Sequence, residues 1–104
     1  MPIGALEELP EGKPARVSLD GLDLLVLRRG EDVLVTSNRC THQGAPLHRG
    51  AAHATGTLPT IACPIHGSMF SLLDGRVLRG PATTRLPSYE SRVSGTVVEI
   101  RERA

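Results

Sequence analysis

The sequence predicts an all-β domain, a small antiparallel sandwich or barrel with a loop-rich subdomain inserted at residues 37–85. Three observations carry that expectation. Eleven glycines and eight prolines punctuate 104 residues, and no long segment keeps the 3.6-residue apolar period of a helix. Short β-type runs stand in pairs across tight-turn signals near both ends of the chain. Between them lies a stretch rich in Gly, Pro, His and Thr, with only fragments of strand pattern.

Taken in order, Ala5–Leu9 allows about one helical turn and nothing longer. Ala15–Leu19 reads as a strand, and Asp20-Gly21 supplies the positive backbone angles of a two-residue hairpin turn. Leu22–Arg28 returns as the second strand. Gly30-Glu31-Asp32 then turns the chain into Val33–Thr36. Within 37–85, Leu58–Ala62, Met69–Leu72 and Arg76–Leu78 are short strands at best. Tyr89–Val93 and Thr96–Ile100 close the chain, flanking a Ser94-Gly95 turn. With Phe70 and Tyr89 as the only aromatics, the core falls to Val, Leu, Ile and Ala. The length suits one domain over 1–104, with a modest core.

The net charge of +1 argues against a general nucleic-acid binder. It hides a pattern, because residues 37–85 carry five arginines (39, 49, 76, 79 and 85) against the single Asp74. Individually these read as solvated side chains; together they suggest a docking face. The first residues, MPIGALEELPEG, lack the basic and apolar regions of a signal peptide. No apolar run approaches the ~20 residues needed to span a bilayer. A soluble, cytoplasmic monomer with no membrane or nucleic-acid partner is the expectation.

The strongest chemical signal is Cys40-Thr41-His42, followed after twenty residues by Cys63-Pro64-Ile65-His66-Gly67. These are the only two cysteines, and each stands just upstream of a histidine. Thiolate suits iron–sulfur clusters or zinc, and imidazole suits either metal. A structural disulfide would be unusual in a reducing compartment. A Cys₂His₂ zinc site uses the same donors, though its usual order sets the cysteines together and the histidines together. Alone, the cysteines would read as two inert buried thiols. His48 and His53 are not phased with a cysteine and read as solvated loop residues. A segment as irregular as 37–85 would be poorly stabilised by apolar burial alone, so a bound group tying two loops together would supply order.

CTHQGAPL and CPIHGSMFSLLDG, followed by Gly80-Pro81-Ala82, closely resemble the cluster-binding loops of Rieske [2Fe–2S] proteins. The GALEELPEGKPARV opening and the closing VSGTVVEI extend the resemblance over essentially the whole chain, to Rieske ferredoxins of oxygenase systems. The resemblance implies a Rieske-type fold and one [2Fe–2S] cluster, with Cys40 and Cys63 on one iron and His42 and His66 on the other. Two neutral imidazoles in place of two thiolates leave the cluster less negative, which raises its potential above that of all-cysteine ferredoxins. Gly44, Gly67 and Gly80 would form the tight turns, and Pro81 would cover the cluster. Ser68 stands where high-potential relatives place a hydroxyl donor to sulfide. Phe70 stands at their tyrosine, and Ala45 and Ile65 at their loop-bridging disulfide, which argues for a low potential. The separation of the two loops suggests a small insertion near 49–57.

The implied role is an electron carrier rather than an enzyme, shuttling single electrons from an NAD(P)H-dependent flavoprotein reductase to a terminal oxygenase. The small subunit of a nitrite-reductase-type complex is the alternative. The chain shows no nucleotide-binding glycine loop and no nucleophile–base pair.

Overall fold

The computed structural model describes residues 1–54 and 56–103. Among these, ten strands make two antiparallel sheets. The larger has the order β1 (Pro2–Ala5), β10 (Val97–Glu102), β9 (Ser88–Ser94), β4 (Asp32–Ser37), β3 (Leu22–Arg29), β2 (Pro14–Leu19), and the smaller β5 (Ala51–His53), β6 (Thr60–Ala62), β7 (Met69–Ser71), β8 (Val77–Arg79). The first hairpin joins β2 (Pro14–Leu19) to β3 (Leu22–Arg29), with Leu19 opposite Leu22. Asp20 and Gly21 both take positive φ, 50° and 78°, so the turn twists with the strands it joins. Gly30-Glu31 then leads into β4 (Asp32–Ser37), with Arg29 opposite Asp32.

The terminal hairpin joins β9 (Ser88–Ser94) to β10 (Val97–Glu102). Its turn is Gly95-Thr96, one residue beyond the Ser94-Gly95 expected, because Gly95 is the residue with φ +63°. Helical character at 5–9 reduces to one 3₁₀ turn, Leu6–Glu8. β1 (Pro2–Ala5) was not expected. Proline and glycine weaken its local signal, yet an edge strand tolerates both, and pairing with β10 orders it.

The all-apolar run Leu24-Leu25-Val26-Leu27 explains how the two sheets meet. Alternate side chains of a strand leave on opposite faces, and here both faces are covered. Leu24 and Val26 pack with Val33, Val35, Val98 and Ile100 inside the larger sheet. Leu25 and Leu27 pack with Ile61 and Phe70 of the smaller sheet and with Leu47, Leu72 and Leu86 from the segments around it. The inserted subdomain therefore has an apolar anchor onto β3. Phe70, fully buried at its centre, belongs to this core. Burying such a side chain is worth about 1.5–3 kcal/mol.

The insertion leaves and re-enters the larger sheet at one place. β4 and β9 are neighbours, with Val35 opposite Tyr89 and Thr36 opposite Ser88, and the Ser37 N–H donates to the Pro87 carbonyl at 2.9 Å. Within it run β5 (Ala51–His53), β6 (Thr60–Ala62), β7 (Met69–Ser71) and β8 (Val77–Arg79). β6 and β7 match expected strands with shorter bounds, and β8 matches the third shifted by one residue. β5 forms one edge of the smaller sheet and falls within residues 49–57; Thr55 lies outside the described residues. Arg29 fastens this stretch, donating from Nη1 to the carbonyls of Ala54 (3.4 Å) and Gly56 (3.0 Å). No described helix is long and apolar enough to cross a membrane.

Candidate metal centre

The two Cys-His segments fold into near-identical loops. In the first, the Cys40 N–H donates to the Ala45 carbonyl (2.9 Å) and the Gly44 N–H to the Cys40 carbonyl (2.7 Å). In the second, the Cys63 N–H donates to the Ser68 carbonyl (2.7 Å) and the Gly67 N–H to the Cys63 carbonyl (3.1 Å). Each loop thus closes over five residues with a glycine in fourth place after the cysteine. Gly44 and Gly67 take φ of +72° and +75°, a conformation that disfavours a side chain. Gly80, expected to play the same part, does not take positive φ; it precedes Pro81 in a cis peptide.

Both thiols are reduced and buried, Cys40 2% and Cys63 5% exposed, while His42 and His66 are exposed. The imidazoles stand 5.2 Å apart between centroids at an interplanar angle of 81°. Burial pushes the Cys40 thiol above its ordinary range, and the neighbouring Cys63 thiol adds to that rise. The N–H groups of His42 and Gln43 point at the Cys40 sulfur and act the other way. Two thiols packed together in apolar surroundings cannot both ionise unless a cation compensates them, whereas N–H groups already aimed at sulfur favour thiolate. Two buried thiols side by side and two exposed imidazoles side by side form two donor pairs whose chemistry fits a two-iron group. No three His, Cys, Asp or Glu side chains among the described residues gather as a single ion would need.

A third segment completes the site. After β8 the chain passes through Gly80-Pro81 to Ala82, which is buried. The Ala82 N–H donates to the Ser68 hydroxyl oxygen at 3.0 Å. Ser68 is fully buried, and because this bond uses its oxygen as acceptor, its hydroxyl proton remains free to donate. The Thr41 hydroxyl donates to the Thr84 carbonyl. On the other side, Arg79 donates from Nε (3.0 Å) and Nη2 (2.9 Å) to the Gly67 carbonyl. Pro64, Ile65 and Pro81 are exposed, and Ala45 and Ile65, having no sulfur, form no link between the loops.

The first loop stands on a buried polar hub. Asn38, fully buried, accepts from the His48 N–H on Oδ1 (2.8 Å) and donates from Nδ2 to Asp23 (3.2 Å). The same Nδ2 lies 2.9 Å from His48 Nδ1, which makes that nitrogen the acceptor. Its backbone bonds reach the Asp23 carbonyl (2.8 Å) and the Leu47 N–H (2.7 Å). Partial burial would raise the Asp23 carboxyl, but hydrogen bonds from Arg16 and Asn38 and the charges of Arg16 and Arg39 hold it below its usual range.

Of the four Cys and His singled out in the sequence, the structure brings Cys40 beside Cys63 and His42 beside His66. His53 remains an exposed strand residue, whereas His48 is half-buried and built into the Asn38 hub rather than solvated. Arg39 pairs with Asp23 at 3.7 Å, and Arg79 is committed to Gly67. Arg49, Arg76 and Arg85 are exposed. Asn38, Thr41 and Arg79 escaped sequence reasoning as parts of the site. Single polar residues beside a motif carry no periodic signal, and only the fold supplies their partners. A shallow cavity of about 330 Å³ lies on β9 and β10, lined by Glu90, Arg92, Glu99 and Arg101, away from the four Cys and His.

Comparison with known proteins matches residues 1–90 to the family model described as Rieske [2Fe-2S] domain. The ferredoxin component of a naphthalene 1,2-dioxygenase system from Pseudomonas aeruginosa is 31% identical over 92% of this chain and 88% of its own. Among solved structures, the ferredoxin of carbazole 1,9a-dioxygenase from Nocardioides aromaticivorans IC177 superposes with a TM-score of 0.87 at 29% identity, covering 99% of this chain and 97% of that one. A putative NADH-dependent nitrite reductase small subunit from Mycobacterium tuberculosis gives 0.82 at 26% identity, covering 100% and 95%.

Proposed function

The chain belongs to the Rieske [2Fe–2S] domain family, and on that premise we propose that it is a ferredoxin, a one-electron carrier serving a terminal oxygenase. In this reading it accepts electrons from an NAD(P)H-dependent flavoprotein reductase and docks as a monomer onto each partner in turn. The observation that carries it is the pair of exposed imidazoles together with a pair of buried thiols, in a chain that spans most of the length of dioxygenase ferredoxin components.

Cys40 and Cys63 are assigned to one iron and His42 and His66 to the other. When bound, the cluster supplies reversible one-electron chemistry. The protein contributes the rest. Leu47, Ile61 and Phe70 form an apolar floor that keeps water from the thiols. Ser68 offers a hydroxyl proton to sulfur. The exposed rings of His42 and His66 give electrons their shortest path to a partner. Residues 39–50, 62–70 and 77–85, which form the three site segments, hold four arginines and no Asp or Glu, so an acidic partner surface is favoured.

A nitrite-reductase-type small subunit is the second reading, favoured by the superposition at 0.82. Two experiments decide. Dithionite-reduced protein is mixed with an oxidised ring-hydroxylating oxygenase and its aromatic substrate in a single turnover. Reduction of the oxygenase and formation of product support the carrier role; no electron transfer to any such oxygenase counts against it. Gel filtration of a native-cell extract should place the protein at its monomer size, whereas constant elution with a large partner would favour the subunit reading.

A further inference from the structure

Arg79 does more than a solvated surface arginine would. Both of its donors converge on one oxygen, the Gly67 carbonyl, at 3.0 and 2.9 Å. Gly67 directly follows His66, and its N–H already closes the loop onto Cys63. The first loop has the same two backbone bonds and the same left-handed glycine, but its tie to the third segment is the neutral pair Thr41 hydroxyl to Thr84 carbonyl. A full positive charge therefore bears on one of two otherwise matched loops.

The Gly67–Ser68 peptide is not among the cis bonds, so its carbonyl and the Ser68 N–H point to opposite sides. Holding the carbonyl toward the exposed guanidinium turns that N–H toward the buried side of the loop, where Ser68 is wholly enclosed. A cation on a carbonyl oxygen polarises the amide and strengthens its N–H as a donor. Charge and geometry thus act in the same direction at one point. Uptake of one electron adds a negative charge to the bound group without making or breaking a bond, and both effects favour the more negative state.

We propose that Arg79 is a positioning residue that raises the reduction potential of the bound cluster through the Gly67–Ser68 peptide, an inference that rests on the family reading above. It fixes the peptide whose N–H faces the site and adds a nearby positive charge. The charge is exposed, so its influence is modest and weakens with salt. Arg79 is correspondingly less available than Arg49 or Arg85 for docking.

The test is a redox titration of the holoprotein and of the variants Arg79→Gln and Arg79→Lys, after matching their iron content and visible spectra to wild type. Arg79→Gln should lower the reduced-to-oxidised ratio at fixed potential about two- to fivefold. Fivefold reads as a downward shift of about 41 mV at 59 mV per tenfold for one electron. Arg79→Lys, which keeps the charge and loses the fork, should fall between the two, and the gap between wild type and Arg79→Gln should narrow at high salt. A midpoint for Arg79→Gln equal to wild type overturns the proposal. Equal losses in both variants at every salt concentration also overturn it, since a purely structural clasp would then account for the effect. Wild-type protein that assembles no cluster removes the family reading and the proposal together.

Discussion

Replacing Gly50 by alanine should loosen the metal centre from below. Gly50 has φ −84° and ψ −179°, a conformation open to any residue, so the constraint is space. A Cβ there would lie 1.8 Å from the Ala62 carbonyl oxygen and 3.0 Å from its carbon. Both atoms belong to the peptide whose N–H is that of Cys63, and that N–H closes the second loop onto Ser68 at 2.7 Å. To bring the contact back even to 3.0 Å, either the Gly50 segment must leave Leu47, whose carbonyl holds its N–H at 2.8 Å, or the Cys63 peptide must rotate. Overpacking costs about 1–3 kcal/mol, and losing the Cys63 bond adds about 1 kcal/mol. For a domain of this size the combined loss lowers Tm on the order of 10–20 °C. Urea unfolding of the variant, with decay of cluster absorbance under chelator as the second readout, measures both parts. A variant with wild-type midpoint and wild-type cluster lifetime would refute the claim that this contact sets the position of Cys63.

Other outcomes follow from the same geometry. Ser68→Ala strips the buried Ala82 N–H of its acceptor, costing about 1–3 kcal/mol of stability, and removes a donor to sulfur; voltammetry should show a lower midpoint, and an unchanged midpoint would mean that the hydroxyl points elsewhere. With Phe70 in place of tyrosine and no bridging disulfide, the wild-type potential should lie near the lower end of the class range, roughly −150 to −50 mV, and a value above about +100 mV would contradict the reading of Ser68 and Phe70. Electron transfer to an oxygenase, followed by stopped flow, should slow steeply as salt rises, since steered association weakens with ionic strength; a salt-independent rate would exclude the arginine face as a guide. Asp23 is held below its usual range, so its contribution to stability is complete above the unfolded carboxylate pKa and disappears as pH falls through the lowered folded value. The urea midpoints of wild type and Asp23→Asn should therefore converge between about pH 5 and pH 2, and a constant difference would remove Asp23 from the acid response.

Much of the site is local in sequence, which is why it could be read there. A cysteine, a nearby histidine and a glycine four residues after the cysteine make a self-contained loop, and repeating the unit twice identifies the donors without any long-range contact. Hairpins announced by Asp20-Gly21 and Gly30-Glu31 were legible for the same reason. Gly95 shifted its turn by one residue because the two-residue loop is defined by where positive φ falls, and serine beside it left both registers open. β1 and β5 could not be read, because Pro2–Ala5 and Ala51–His53 are strands only by virtue of the partners beside them. The Asn38 hub and the Arg79 clasp depend on contacts 10 to 15 residues away. Composition registers those side chains merely as polar. The double burial of β3 was visible as an apolar run, but what covered its second face was not.

Pulsed electron paramagnetic resonance of the dithionite-reduced protein, produced with ¹⁵N-histidine, tests the ligand assignment most directly. Two distinct histidine nitrogens coupled to the electron spin are the expected result, one from His42 and one from His66, accompanied by two irons and two sulfides per chain. A spectrum without nitrogen coupling, or with a single coupled histidine, would contradict it.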